Sequence, residues 1–173
     1  MSYSVVYSTH TDNAVKLSSA IVSSLGPDGL LYDGKLALAP EVFKDADVIF
    51  VGFWTTKNSA DATIAALLGS LKNKKIALFG SCGFGNEADG HFDLVKKNVL
   101  SLVDPSNTVL GFYITVGRIG QQFVEKGKAS NWDPKVDFHF PNFEKFYKQD
   151  EGHPTAEEIA KAGEWAKEVI RKA

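Results

Sequence analysis

Hydroxyl, amide and imidazole side chains are concentrated near the start of the chain, in residues 7–15, which read YSTHTDNAV. An apolar run precedes this stretch, and a segment with helical spacing begins at Asn13. A turn between a strand and a helix favours anions, because the first backbone N–H groups of a helix lack partners and its dipole is positive there. Thr9, Thr11 and Asn13 could add side-chain donors, so the stretch indicates a phosphate site.

The same residue types have a second use as turn formers and helix N-caps. The dinucleotide-binding fingerprint G-x-G-x-x-G is absent, and the turn contains no glycine. The turn alone therefore leaves two interpretations open, a phosphate site and a structural cap.

The segments that would position this turn alternate between short β-rich runs and longer helical runs. Residues 47–53 and 75–80 are almost continuously apolar, which is typical of strands buried on both faces of a parallel sheet. The alternation predicts one α/β domain over residues 1–173 with a doubly wound parallel sheet. The predicted strands are residues 4–7, 30–32 (ended by Asp33-Gly34), 47–53, 75–80 and 108–116, and the predicted helices are residues 13–25, a helix from Ser59 or Asp61 to Leu71, residues 92–102 and residues 155–170.

Residues 117–146 interrupt this alternation. A short helical pattern at residues 121–126 is followed by a polar connection that carries the aromatic side chains of Trp132, Phe138, His139 and Phe140. The segment could be a lid, an interface or a long loop, and the sequence does not distinguish these.

The overall charge and the cysteine content exclude several classes of function. The formal net charge is −2, so no strong field favours nucleic acid or an anionic membrane. The single cysteine, Cys82, cannot form an internal disulfide and suits a reducing compartment. The N-terminal residues lack a signal-peptide pattern, and no apolar run approaches the roughly 18 to 20 residues of a membrane helix. We therefore expect a cytoplasmic protein that binds neither nucleic acid nor membranes.

Residues 7–15 resemble the phosphate loop of the flavodoxins, whose pattern is an aromatic residue, then Ser or Thr, a variable position, Thr, Gly, Asn and Thr. The residues that match are Tyr7, Thr9, Thr11 and Asn13. The resemblance continues through VIFVGFW (48–54), KIALFGSCGFG (75–85) and HPTAEEIAKAGEWAKEV (153–169). In this order the motifs resemble the flavodoxin-like proteins of anaerobic bacteria, a group that includes the flavodoxin-like partner of bilirubin reductases. The resemblance implies a flavodoxin-like five-stranded parallel sheet in the order 2-1-3-4-5, with helices on both faces.

Two positions depart from the family's phosphate loop. Asp12 stands where the family has Gly, and Ala14 stands where it has Thr. The missing hydroxyl of Ala14 removes one phosphate donor, worth about 1 to 3 kcal/mol to a charged partner. The carboxylate of Asp12 would repel a phosphate if it pointed inward, and a positive φ at this position would suit Gly better than Asp. A flavodoxin fold with a lost or weakened flavin site is therefore one alternative.

The resemblance implies an FMN site with two parts. The ring would lie between the loops after the third and fourth strands, where Trp54 and Phe84 could form its walls. Each aromatic residue has another interpretation: Trp54 could cover the end of the sheet, and Phe84 could anchor its loop. A peptide within residues 80–85 that flips could tune the redox potentials. The implied phosphate-binding residues are Ser8, Thr9, His10, Thr11, Asp12, Asn13 and Ala14, and the implied ring-binding residues are Phe53, Trp54, Thr55, Ser81, Cys82, Gly83, Phe84 and Gly85.

The family further implies an electron carrier without catalytic side chains, because the flavin carries the chemistry. Its expected partners are a reductase and an electron acceptor, and we expect a monomer. The alternative is an NAD(P)H-dependent flavoenzyme, such as a quinone or nitro-compound reductase. The acidic and histidine side chains of residues 87–93 match no standard metal-ligand spacing, so we expect no metal.

Overall fold

Five parallel strands form the sheet of this protein, whose computed structural model describes residues 1–36, 43–133 and 143–173. The strands are β1 (Tyr3–Tyr7), β2 (Leu30–Lys35), β3 (Val48–Thr56), β5 (Lys75–Cys82) and β6 (Thr108–Val116), and the two-residue strand β4 (Ser59–Ala60) pairs antiparallel with the end of β3. The order across the sheet is β2-β1-β3-β5-β6. With β4 set aside, this confirms the predicted order 2-1-3-4-5.

Helices cover both faces of the sheet. They are α1 (Asn13–Leu25), α2 (Ala62–Ser70), α3 (His91–Leu100), α4 (Gln121–Ala129), α5 (Phe143–Asp150) and α6 (Ala156–Lys172). The residues Val48 and Phe50 of β3 pack in the apolar layer that holds α1 and α6. The residues that alternate with them, Ile49 and Val51, point to the other face of the sheet and pack in the layer that holds α2 and α3. Strand β3 is therefore apolar at successive positions because each of its faces meets a pair of helices.

The second strand is longer than its sequence indicates. The prediction that it ends at Asp33-Gly34 is wrong, because both residues pair with β1, opposite Val5 and Val6. The hydroxyl of Ser18 also donates to the Asp33 carboxylate at 2.6 Å. Pairing along β1 thus overrides the local turn preference of Asp-Gly.

Helix α2 begins after Asp61, one of its two predicted caps. The Asp61 carboxylate accepts hydrogen bonds from the backbone N–H groups of Thr63 (3.1 Å) and Ile64 (3.3 Å). The other candidate, Ser59, belongs to β4. Asp61 is 5% exposed, and it satisfies two of the first N–H groups of α2, which have no partner within the helix.

The C-terminal third of the chain contains one confirmed helix and one unexpected helix. Thr155 and Glu158 form a capping box at the start of α6, where the sequence predicts a helix to begin. The helical pattern at residues 121–126 extends to Ala129 in α4, whereas the sequence did not predict α5. Of the aromatic residues in the segment 117–146, Phe138, His139 and Phe140 lie outside the described residues.

Two glycines allow β3 and β5 to lie side by side. Gly52 is paired with Phe79, and Phe53 is paired with Gly80. A Cβ atom at Gly52 would collide with the Phe79 ring and would lie 2.7 Å from Cβ of Tyr7. A Cβ atom at Gly80 would lie 2.6 Å from the Phe53 ring. Each glycine therefore makes room for the phenylalanine of the neighbouring strand.

The substitution Gly52→Ala should destabilise the protein by about 1 to 3 kcal/mol or more, because strand and ring must both shift. The matched control is Gly69→Ala in α2, where an added Cβ meets nothing within 4 Å. It should stabilise by up to about 1 kcal/mol, since Ala is the better helix former. Chemical denaturation of the two variants measures both changes, and equal effects would contradict this packing.

Candidate functional site

All five parallel strands end at the same edge of the sheet, where ligands bind in open α/β folds. A cavity of about 740 Å³ lies at this edge. The loops that follow β1, β3, β5 and β6 line it, together with side chains from α3, α4 and α5. The lining residues are His10, Thr11, Asn13, Trp54, Thr55, Thr56, Lys57, Asn58, Ser81, Cys82, Gly83, Phe84, His91, Arg118, Ile119, Gly120, Phe123 and Phe146.

Several polar side chains of the turn before α1 are used to hold the turn itself. The hydroxyl of Ser8 donates to the carboxylate of Asp61, and the hydroxyl of Thr9 donates to the carbonyl of Thr11. The side-chain amide of Asn13 donates to the carbonyl of Arg118 at 3.0 Å. These side chains fix the shape of the turn and tie it to the loops after β3 and β6.

The two unusual residues of this turn, Asp12 and Ala14, do not line the cavity. Asp12 is exposed and has φ −82°, so this position does not adopt the positive φ that would suit Gly better. Its side chain makes no capping hydrogen bond to α1. Ala14 is 1% exposed and packs in the core. Water screens a charge in the position of Asp12 effectively.

One wall of the cavity is a pair of stacked rings. The imidazole of His10 stacks on the indole of Trp54, with 5.1 Å between ring centroids and 29° between ring planes. The side chain of Gln122 contacts the Nε2 atom of His10. His10 also meets the edge of Phe123 at 6.4 Å. The turn before α1 therefore reaches the aromatic wall, and α4 contacts the imidazole there.

Another part of the cavity lining centres on Phe84. Its ring meets Phe123 of α4 with centroids 6.3 Å apart, and Phe146 of α5 with centroids 5.7 Å apart. Both contacts are edge-to-face, which is a favourable arrangement for aromatic pairs. The described parts of the segment 117–146 thus contribute directly to the cavity.

The structure brings nine of the fifteen implied site residues together around the cavity. The six that do not line it are Ser8, Thr9, Asp12, Ala14, Phe53 and Gly85. Phe53 is fully buried and packs against Phe112, with ring centroids 5.8 Å apart. It is therefore a core residue of β3, next to the cavity residue Trp54.

Sequence reasoning missed nine lining residues. Lys57 and its neighbours extend a loop that was already identified, so a longer window around Trp54 would have included them. The residues from the segment after β6 carried no motif, because only the fold places them at this edge. The missed residues are Thr56, Lys57, Asn58, His91, Arg118, Ile119, Gly120, Phe123 and Phe146.

The charges around the cavity are one-sided. Lys57 and Arg118 both line it, and both are cationic. No Asp or Glu is among the described lining residues. The arrangement suits an aromatic ligand that carries negative charge.

The thiol of Cys82 is not a nucleophile. Cys82 is 2% exposed, and burial raises the pKa of its thiol to about 11. The thiol therefore stays protonated at neutral pH, and a protonated thiol is a weak nucleophile. Cys82 is a buried side chain that packs in the apolar core at the end of β5, next to the cavity.

A buried acid lies behind the loop after β5. Asp150, the last residue of α5, is fully buried, and neither of its carboxylate oxygens has a hydrogen-bond partner in the described structure. A Cβ atom at Gly83 would lie 3.4 Å from Oδ2 of Asp150, so the carboxyl rests against the cavity loop. Burial raises the pKa of Asp150 to about 8. The group is therefore mainly uncharged at neutral pH.

Other kinds of site receive no support from the described residues. No three His, Cys, Asp or Glu side chains among them are grouped as metal ligands would be. None of the described helices is both long enough and apolar enough to cross a membrane.

Comparisons with known proteins agree with one another. A family profile described as a flavodoxin domain matches residues 4–167. Two curated relatives share the name flavodoxin-like domain-containing protein BilS. The one from Clostridioides difficile (strain CD3) is 26% identical over 170 residues, covering 98% of this chain and 96% of the relative. The one from Clostridium symbiosum (strain WAL-14163) is 29% identical over 143 residues, covering 75% of each.

A solved structure with the same fold is oxidised flavodoxin 2 from Bacillus cereus. It superposes with a TM-score of 0.59 at 14% identity, and the match covers 100% of both chains. At this level of identity the likeness concerns the fold alone.

The buried Asp150 should make the protein less stable as pH rises. Its pKa is higher in the folded chain than the ordinary value of 3.8, so unfolding releases a proton between about pH 4 and pH 8 and stability falls across that window. The substitution Asp150→Asn should remove this dependence and raise the free energy of unfolding at pH 8.5 by about 2 to 5 kcal/mol relative to its effect at pH 4. Denaturation at several pH values measures the difference.

The control for this prediction is Glu151→Gln, which removes a charge from the exposed neighbouring residue. Its stability should follow the pH profile of the unmodified protein. Parallel profiles for all three proteins would contradict a buried, uncharged Asp150.

Proposed function

The chain belongs to the flavodoxin-domain family, and we propose that it binds FMN non-covalently and carries electrons between redox partner proteins. The observation that carries this proposal is the cavity itself. It runs from the turn before α1 to the aromatic residues Trp54 and Phe84, at the sheet edge where this fold binds ligands.

The residues of the cavity suit each part of FMN. Trp54 and Phe84 offer flat apolar surfaces for the ring. The loop around Gly83 brings backbone polar groups to the edge of the cavity, because glycine leaves the peptide uncovered. Thr11 and the first N–H groups of α1 face the end where the phosphate would lie. When bound, the flavin would supply the electron-transfer chemistry.

Side chains of this chain need only bind and orient the cofactor. The thiol of Cys82 is protonated, and Asp150 lies behind the loop rather than in the cavity. Hydrogen bonds from Ser8, Thr9 and Asn13 to other groups of the protein fix the shape of the turn before α1. A preformed site lowers the entropy lost on binding.

A second candidate function is a flavoenzyme that oxidises NAD(P)H. The observation that favours it is the cover formed by Phe123 and Phe146, because α4 and α5 bring both rings over Phe84. Such a cover could shelter a second reactant beside the ring. With FMN added, steady NADH oxidation by the protein alone would favour the enzyme. A single reduction that is passed on only when a partner protein is present would favour the carrier.

Truncating an aromatic wall should weaken the binding of FMN and riboflavin alike. The substitution Trp54→Ala should lower both affinities about ten- to hundred-fold, because stacking on an aromatic side chain is worth about 1 to 3 kcal/mol. Quenching of flavin fluorescence measures both affinities. Trp132→Ala is the matched control, since Trp132 stacks on Tyr147 outside the cavity. Equal losses in the two variants would contradict a ring site at Trp54.

A further inference from the structure

One lysine and one arginine line the cavity, and they belong to different loops. Lys57 forms the tight turn between β3 and β4 with Asn58, and the φ angles of these residues are 50° and 60°. Arg118 belongs to the loop after β6, beside the turn before α1. Only Arg118 is therefore attached to the part of the cavity where a phosphate would lie.

The backbone of Arg118 is fixed on both sides. Its carbonyl accepts a hydrogen bond from the Asn13 side chain at 3.0 Å, and its N–H donates to the carbonyl of His153 at 3.2 Å. The glycines beside it allow close packing. A Cβ atom at Gly117 would lie 2.5 Å from Nδ2 of Asn13, and one at Gly120 would lie 3.3 Å from Cδ2 of His10. The loop is thus pressed against the phosphate turn.

The guanidinium of Arg118 has no counter-charge in the described structure. Arg118 forms none of the ion pairs between described residues. The described cavity lining contains no carboxylate. The five N–H donors of the Arg118 guanidinium therefore remain available to a ligand.

The phosphate turn is short of side-chain donors of its own. The Ser8 and Thr9 hydroxyls and the Asn13 amide are engaged within the protein. Ala14 has no hydroxyl and is buried. Of the hydroxyl residues in this turn, only Thr11 lines the cavity, and its hydroxyl oxygen accepts a hydrogen bond from the Asn13 N–H at 3.3 Å. A dianionic phosphate at this turn would thus lack most of the side-chain hydrogen bonds that the sequence led us to expect.

We propose that Arg118 binds the phosphate of FMN and sets the preference of this site for FMN over riboflavin. The inference rests on the proposed function. A guanidinium can give a phosphate two parallel charge-assisted hydrogen bonds, which are stronger than those of a neutral hydroxyl. Arg118 would therefore supply the charge-assisted donors that the side chains of this turn do not offer.

The test compares the dissociation constants of FMN and riboflavin for the unmodified protein, Arg118→Gln, Arg118→Lys and Lys57→Gln. Arg118→Gln should weaken FMN binding about ten- to hundred-fold and leave riboflavin binding nearly unchanged. Arg118→Lys should recover part of the lost FMN affinity, because lysine keeps the positive charge but cannot give two parallel hydrogen bonds from a planar group. Lys57→Gln removes the same charge from the same cavity, and its ratio of the two affinities should stay within about threefold of the unmodified protein.

The outcomes separate this inference from the proposed function. If the unmodified protein binds neither flavin, the proposed function fails and the inference fails with it. If it binds both flavins and Arg118→Gln leaves their ratio unchanged, only the inference fails. An equal loss of both flavins in Arg118→Gln would also overturn it, since it would place Arg118 at the ring or in the fold. Circular dichroism and a thermal melt of each variant establish that it is folded, and Arg118→Lys provides the same test if Arg118→Gln does not fold.

Discussion

The cavity depends on the close packing of β3 and β5 through two reciprocal glycine–phenylalanine pairs. Gly52 lies opposite Phe79, and Phe53 lies opposite Gly80. The two phenylalanine rings pack in different apolar layers, Phe79 with α1 and α6, and Phe53 with α2 and α3. Each glycine accepts a ring on one face, so the two strands lock together from both sides. The next pair along the strands is Trp54 with Ser81, which already belongs to the cavity.

The cavity loops are held by contacts that local sequence patterns do not reveal. Ser8 ties the turn before α1 to Asp61, and Asn13 ties it to Arg118. The buried carboxyl of Asp150 lies behind Gly83 without a described hydrogen-bond partner. An unpaired buried acid opposes stability, and such groups are commonly found near functional sites. The polar residues of this region therefore serve the shape of the site more than the stability of the fold.

Much of the fold could be predicted from local patterns because those patterns are strong. The nearly continuous apolar run of β3 and the capping box of α6 each have one physical interpretation. Asp33-Gly34 was misread as a stop, because pairing with β1 outweighs the turn preference of the two residues. The parts of the site that could be predicted are the loops directly after the strands β1, β3 and β5, because recognisable strand motifs precede them. The use of Thr9 within its own turn, and the position of Arg118, both depend on contacts that arise after folding.

The most direct test of this account is a titration of the isotope-labelled protein with FMN, followed by the backbone amide signals in NMR spectra. If FMN binds in the cavity, the largest shifts should fall in the four loops that line it, at residues 8–14, 54–58, 81–85 and 117–120. Riboflavin should reproduce the shifts near Trp54 and Phe84 but not those near Thr11 and Arg118. Shifts centred elsewhere on the protein, or none at millimolar FMN, would contradict the account.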